Sequence, residues 1–358
     1  MTIIIFIALL LILVLAHEWG HFFAARRLGV GVEEFGFGFP PRAWSRVKNG
    51  VRYSLNWLPL GGFVKLKGEN GGEESATDSF SVQKAWKRST ILVAGVGMNV
   101  VLAFVLLSIG FAVGTPTVLE NDAQLASDVK IVISQVLPDS PAAKVGVKAG
   151  DEIVTVNNEK FTTLSSLQNY LKQAGSVEVK LNREGKEVVV NTKPEILPSS
   201  GERRVLGVGL MQVGLVKYVW YEAVWRGAQA TGFLLVEIAR AFGNLISNLI
   251  VRGSVPSDIA GPVGIATMTG QVADLGWRYL LQFAALLSLN LAWLNILPFP
   301  ALDGGRLLFV IIEKIRGKVN NQKIEAIAHQ IGFGLLMLLV LAITYRDLVK
   351  LGKGLWGG

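Results

Sequence analysis

Residues 3–27 read IIIFIALLLILVLAHEWGHFFAARR. The run from Ile3 to Ala16 carries no charge, ends in His17-Glu18-Trp19-Gly20-His21, and is closed by Arg26 and Arg27. About 24 such residues (2–25) suffice as a helix to cross roughly 30 Å of hydrocarbon. Residues i and i+4 share a helix face, so His17 and His21 can aim both imidazoles at one ion, with the Glu18 carboxylate beside them to take a proton from water. Polar groups at membrane depth are costly and mark functional sites. A secretory signal peptide leading into a soluble metalloenzyme is the competing reading. Such a peptide ends in small residues at a cleavage site, whereas this run ends in the motif itself.

Composition supports the membrane reading. Of 358 residues 51% are hydrophobic, and the formal net charge is +8. The mean hydropathy of +0.44 is high for a soluble protein. Residues 26–90 hold 11 Lys and Arg against 6 Asp and Glu, while residues 116–276 hold 15 against 16. The basic excess therefore sits in the loop after the first apolar segment, as expected of a cytoplasmic loop. No basic helix or aromatic-interleaved patch suggests a nucleic-acid partner. Cysteine is absent, so a bound metal must use His, Asp or Glu, and the only histidines are His17, His21 and His329.

Outward from the first helix (1–25), residues 26–87 form a cytoplasmic loop. Its stretches Val32–Phe39, Val51–Leu58 and Phe63–Lys67 read as strands separated by Gly/Pro turns, and Trp44 and Trp57 suit a sheet dipping into the membrane interface. A second span follows within 88–115, with Ala94, Gly95 and Gly97 as a small-residue face and Asn99 as a helix-to-helix hydrogen-bonding group. Residues 118–198 change character to strands around a short helix. Residues 205–276 include Lys217–Arg252, whose interior charges suit an amphipathic helix on the outer membrane surface. Residues 277–313 return to the membrane through Pro298-Phe-Pro300-Ala-Leu302-Asp303-Gly304-Gly305, and 327–350 form the last span, with His329 at its entry as an interfacial residue. The expected fold is a multi-pass α-helical membrane protein of about four transmembrane helices, with a membrane-associated β element and an inserted β-rich α/β domain.

Two resemblances follow from these motifs. Ser140 to Asn157, S-P-A-A-x-x-G-x-K-x-G-D-x-I-x-x-V-N, resembles a PDZ domain of the bacterial protease type, a module that binds extended peptides by strand addition. Together with His17-Glu18-x-x-His21 in the first span and Leu302-Asp303-Gly304 in the third, the chain resembles the site-2 protease family of intramembrane zinc metalloproteases, in its bacterial RseP-type branch. One PDZ domain stands where that branch often has two. The resemblance implies zinc ligated by His17, His21 and Asp303, and two imidazoles with one carboxylate suit a hydrolytic zinc. It implies Glu18 as general base, Asn290 and Asn295 as substrate-backbone contacts, and Phe63, Val64 and Lys65 as the strand that pairs with an unwound substrate. It also implies substrates among single-span membrane proteins, such as anti-sigma factors, or remnant signal peptides. The expected place is a bacterial cytoplasmic (inner) membrane, in contact with lipid, with the PDZ domain on the extracytoplasmic side. A non-catalytic PDZ scaffold and a metal transporter are the rival functions.

Overall fold

The computed structural model describes residues 1–69, 76–119, 126–183, 185–196, 204–253, 260–317 and 322–356. In chain order these form α1 (Thr2–Arg27), β1 (Val32–Lys48), β2 (Val51–Leu66), α2 (Ala85–Val113), β3 (Thr115–Val118), β4 (Ala126–Val136), α3 (Pro141–Lys144), β5 (Glu152–Val156) and α4 (Leu164–Gln173). There follow β6 (Val177–Arg183), β7 (Lys186–Thr192), β8 (Glu195–Ile196), β9 (Arg204–Val205), β10 (Val208–Val216), α5 (Trp220–Arg252), α6 (Pro262–Leu275), α7 (Trp277–Ile296), α8 (Asp303–Arg316) and α9 (Gln322–Trp356). They divide into two compact units: residues 1–108 with 225–273 and 280–358, and residues 109–224 with 274–279.

The first unit is the helical membrane body. Among the described residues five helices are long and apolar enough to cross a bilayer: α1, α2, most of α5, α7 and most of α9. The fifth beside the four expected is α5, in the charge-interrupted stretch read from sequence as lying on the surface. Leu9 and Leu13 of α1 pack on Phe283 of α7, and His17 further along α1 meets Asn295 further along α7, so these helices run side by side in the same direction. Gly20 is where α1 meets α2, because a Cβ there would stand 2.2 Å from the Ala94 carbonyl oxygen. The span read as 277–313 is two helices, α7 and α8, broken over the proline-bearing turn.

The loop after α1 differs from the three short strands expected. It is one long hairpin turned at Asn49-Gly50, both in the left-handed region that such a turn needs. The hairpin curls on itself, so Phe35 lies opposite both Val64 and Tyr53. Phe22 of α1 closes on the rings of Phe35 and Tyr53, which seats the hairpin against the metal-motif end of α1.

The second unit is an antiparallel six-stranded sheet in the order β3-β10-β4-β5-β6-β7, closed by α3 and α4. Its core gathers Ile131, Ile133, Val156, Leu167, Val177 and Leu181 from alternate strand positions and one helix face. Ser140 caps α3 by accepting from the Ala143 N–H. Asp151 is buried and takes two hydrogen bonds of 2.7 Å from Arg183. The sheet takes in β3 and β10, which lie at and beyond the limits of the 118–198 segment. The fold class is thus the one expected: a multi-pass helical membrane protein with a β hairpin and an inserted PDZ-type domain.

Candidate metal centre

α1 turns Leu9, Leu13, His17, Gly20, His21 and Ala24 to its buried side, the i, i+4 stripe that the motif spacing requires. Each imidazole is held by a neighbour on α2. His21 donates from Nδ1 to the Ile91 carbonyl at 2.8 Å, which leaves the Nε2 lone pair facing inward. Gly95 makes room for that ring, since a Cβ there would lie 2.3 Å from His21 Nε2. The His17 ring has the Asn99 amide 3.3 Å from its Nδ1. Asn99 is fully buried and its Oδ1 has no partner, so turning the amide lets that oxygen accept a proton on Nδ1. The Ser288 hydroxyl donates to the Asn99 backbone carbonyl, tying α7 to this part of α2.

Asp303 is the first residue of α8. Two glycines let the start of α8 press into the end of α7. A Cβ on Gly304 would stand 2.2 Å from the Ile296 and Leu297 carbonyl oxygens, and one on Gly305 would stand 2.3 Å from that of Phe299. The result is a triangle: Asp303 Oδ2 lies 2.9 Å from His17 Nε2 and 3.2 Å from His21 Nε2, and the two Nε2 atoms are 3.1 Å apart. Ligand atoms about 2.0–2.1 Å from a tetrahedral ion stand about 3.3 Å from one another, so this triangle matches one face of such a site. Asp303 Oδ2 is buried without a hydrogen-bond donor, an orphan that a cation would satisfy. Among the described residues this is the one group of three or more His, Asp or Glu side chains placed to hold a metal.

Glu18 flanks the triangle beside the backbone of Val64 on β2. Gly62 lets β2 pass this closely, because a Cβ there would already touch Glu18 and Val14 at 3.3 and 3.2 Å. Of the expected substrate strand, Val64 meets Glu18 through its backbone, Phe63 lays its ring over Gly36, and Lys65 turns away to Glu33 at 2.6 Å. Asn295 reaches His17, 3.5 Å from its ring nitrogens, whereas Asn290 donates back to the Leu286 carbonyl of its own helix. His329 lies outside the triangle, against the Ala301 backbone. The role of Asn99 was not readable as more than helix packing; its spacing four residues after Gly95 on one helix face is the available signal.

Comparison with known proteins decides the family. The description "Peptidase family M50" matches residues 5–339. This chain belongs to peptidase family M50. It is a metalloprotease of the site-2 type, in agreement with the expectation from its motifs. It is 30% identical to the regulator of sigma-W protease RasP of Bacillus subtilis, over 98% of this chain and 99% of the relative. It is 31% identical to the zinc metalloprotease RasP of Geobacillus kaustophilus, over 98% of each. Among solved structures, the PDZ domain of the SdrC-like protein of Listeria monocytogenes aligns with 22% of this chain and 85% of its own, at 22% identity and a TM-score of 0.21.

Proposed function

We propose that this chain cuts peptide bonds of membrane segments at the His17, His21 and Asp303 centre, with Glu18 as general acid and base. The observation that carries the reading is the 2.9–3.2 Å triangle of ligand atoms inside an apolar bundle, with one carboxylate beside it. Zinc bound there supplies Lewis acidity toward the scissile carbonyl and makes water acidic enough to lose a proton near neutral pH. Glu18 takes that proton and returns it to the leaving amine, with the Val64 backbone beside its carboxylate. Asn295, beside His17, is placed to hold a substrate backbone group. The strand at Phe63, Val64 and Lys65 offers backbone pairing to a substrate that has left its helix. Pairing also satisfies amides that lipid would leave bare.

The substrate class is single-span membrane proteins and remnant signal peptides. The printed name of the Bacillus subtilis relative, regulator of sigma-W protease, makes membrane-anchored anti-sigma factors the first candidates to test. The membrane is the bacterial cytoplasmic membrane, and the basic hairpin loop faces the cytoplasm by the positive-inside rule. α2 then carries the chain outward, and the PDZ domain that follows lies on the outer side.

The test is Glu18→Gln, which keeps shape but cannot accept the proton. The variant should retain one zinc per chain and hold membrane peptides, while cleavage falls by roughly 10²–10⁴-fold. Activity within about tenfold of wild type rules Glu18 out as the base. Zinc loss in His17→Ala without any proteolysis in wild type points to a metal-binding membrane protein instead.

A further inference from the structure

Asp303 owes its position to the turn before it, and that turn is strained. Ala301 has φ of +82°, a left-handed conformation that a residue with a Cβ adopts only when its surroundings enforce it. The enforcing contact comes from α9. The Ala301 N–H donates to His329 Nδ1 at 2.8 Å, across a helix that no expected site residue occupies. α9 is pressed against the same turn one helical turn on, where a Cβ on Gly332 would stand 2.5 Å from the Pro300 carbonyl oxygen. Because Nδ1 accepts, the ring proton is on Nε2, whose nearest acidic group is Glu325 Oε1 at 4.0 Å. The ring packs on Phe309 of α8, its centroid 5.6 Å away, so one side chain touches both the turn and the helix that Asp303 begins.

We propose that His329 is a positioning residue of the metal centre: its Nδ1 holds Ala301 in the left-handed conformation and thereby fixes Asp303 Oδ2 against His17 and His21. It is neither a ligand nor a group that meets substrate. The inference rests on the reading of His17, His21 and Asp303 as the zinc ligands. Outer groups that orient a ligand typically change metal affinity about 10–100-fold when removed.

Two substitutions separate positioning from mere packing. His329→Phe keeps a ring against Phe309 but removes the acceptor. His329→Asn loses the ring, yet its Oδ1 occupies the place of Nδ1 and can accept from the Ala301 N–H. The full chain in detergent is titrated with zinc against a competing chelator, with the thermal midpoint and the separate kcat and KM values recorded. His329→Phe should weaken zinc binding by roughly tenfold or more and lower kcat with little change in KM. His329→Asn should stay within about threefold of wild type in zinc affinity, even where its thermal midpoint falls. Ala301→Gly, which adopts positive φ without strain, should shrink the loss caused by His329→Phe. Wild-type zinc affinity in His329→Phe, or a greater loss in His329→Asn than in His329→Phe, overturns the proposal. Unchanged zinc binding in Asp303→Ala would instead overturn the ligand assignment on which it rests.

Discussion

Asn99 is the residue whose removal should reveal how the centre is held. On the proposed ligation through Nε2 of His17, its Nδ1 proton needs an acceptor, and the buried Asn99 amide, at 3.3 Å, is nearer than that of Asn295 at 3.5 Å. Asn99→Leu should therefore weaken zinc binding about 10–100-fold while leaving the ligands intact, as chelator competition would show. Equal affinity in the variant would reduce Asn99 to a packing residue. A second residue, in the inserted domain, gives stability a pH dependence. Burial pushes the Asp151 carboxyl up, but the two Arg183 hydrogen bonds and the Lys148 N–H outweigh it and hold the group below the ordinary carboxylate range. A depressed folded value means that its stabilisation is fully present above about pH 4 and fades as pH falls through the folded value. Asp151→Asn should cost about 1.5–3 kcal/mol at pH 7, and calorimetry of the full chain should show the difference from wild type shrinking toward pH 3. The sequence displays the His17 and His21 pair because i and i+4 share a helix face. It does not display Asn99 against His17, 82 positions apart, because that contact depends on how two helices pack.

At the scale of elements, the path of α5 follows from contacts elsewhere. Lys87 Nζ donates to the Leu28 carbonyl, so α2 starts where α1 ends and returns to the side of Thr2. α7 runs beside α1 in the same direction, with Phe283 on Leu9 and Leu13 and Asn295 at His17. It therefore starts on the side of Thr2 as well, and Gly270 of α6 packs directly on Thr2. Chain leaving α2 and entering α7 on one side makes an even number of crossings. The 14 residues of α6 reach only about 21 Å, short of the roughly 30 Å that a crossing needs. The parity predicts that α5 does not traverse alone, although its Leu235 carbonyl accepts a hydrogen bond from Trp293 Nε1 well along α7. The chain has no cysteine, so single replacements report cleanly. Tyr221→Cys and Gly253→Cys should both react with an impermeant maleimide added from the outer face. Reaction of the two from opposite faces would make α5 a span. The charges at Glu222, Arg226, Glu237 and Arg240 made the surface reading available from sequence. The hairpin was less legible, since Gly and Pro mark turns but also occur where a long strand curls, as at Gly36 and Gly62.

At the scale of the whole molecule, the inserted domain should act as a filter on the outer face and not as part of the catalytic machinery. Every residue of the metal triangle, Glu18 and the strand beside it belongs to the helical unit. On the topology proposed above, with the basic loop after α1 cytoplasmic and the domain after α2 outside, the domain has no part in the chemistry at His17 and His21. The design of the test comes from the sheet. Removing only 118–198, the limits suggested by the PDZ motif, would leave β10 exposed without β4, because β10 pairs with both β3 and β4. Thr115 and Val216 are direct partners at the sheet's end, so excising the residues between them and joining the two with a short Gly-Ser linker closes a gap one strand spacing wide. The shortened enzyme should keep its zinc and cut an already trimmed membrane substrate at close to the wild-type rate. It should also cut substrates bearing bulky outer domains faster than wild type does. Loss of cleavage of the trimmed substrate, with zinc still bound, would sink the filter. The PDZ-type domain would then be a delivery element whose peptide groove takes part in every turnover.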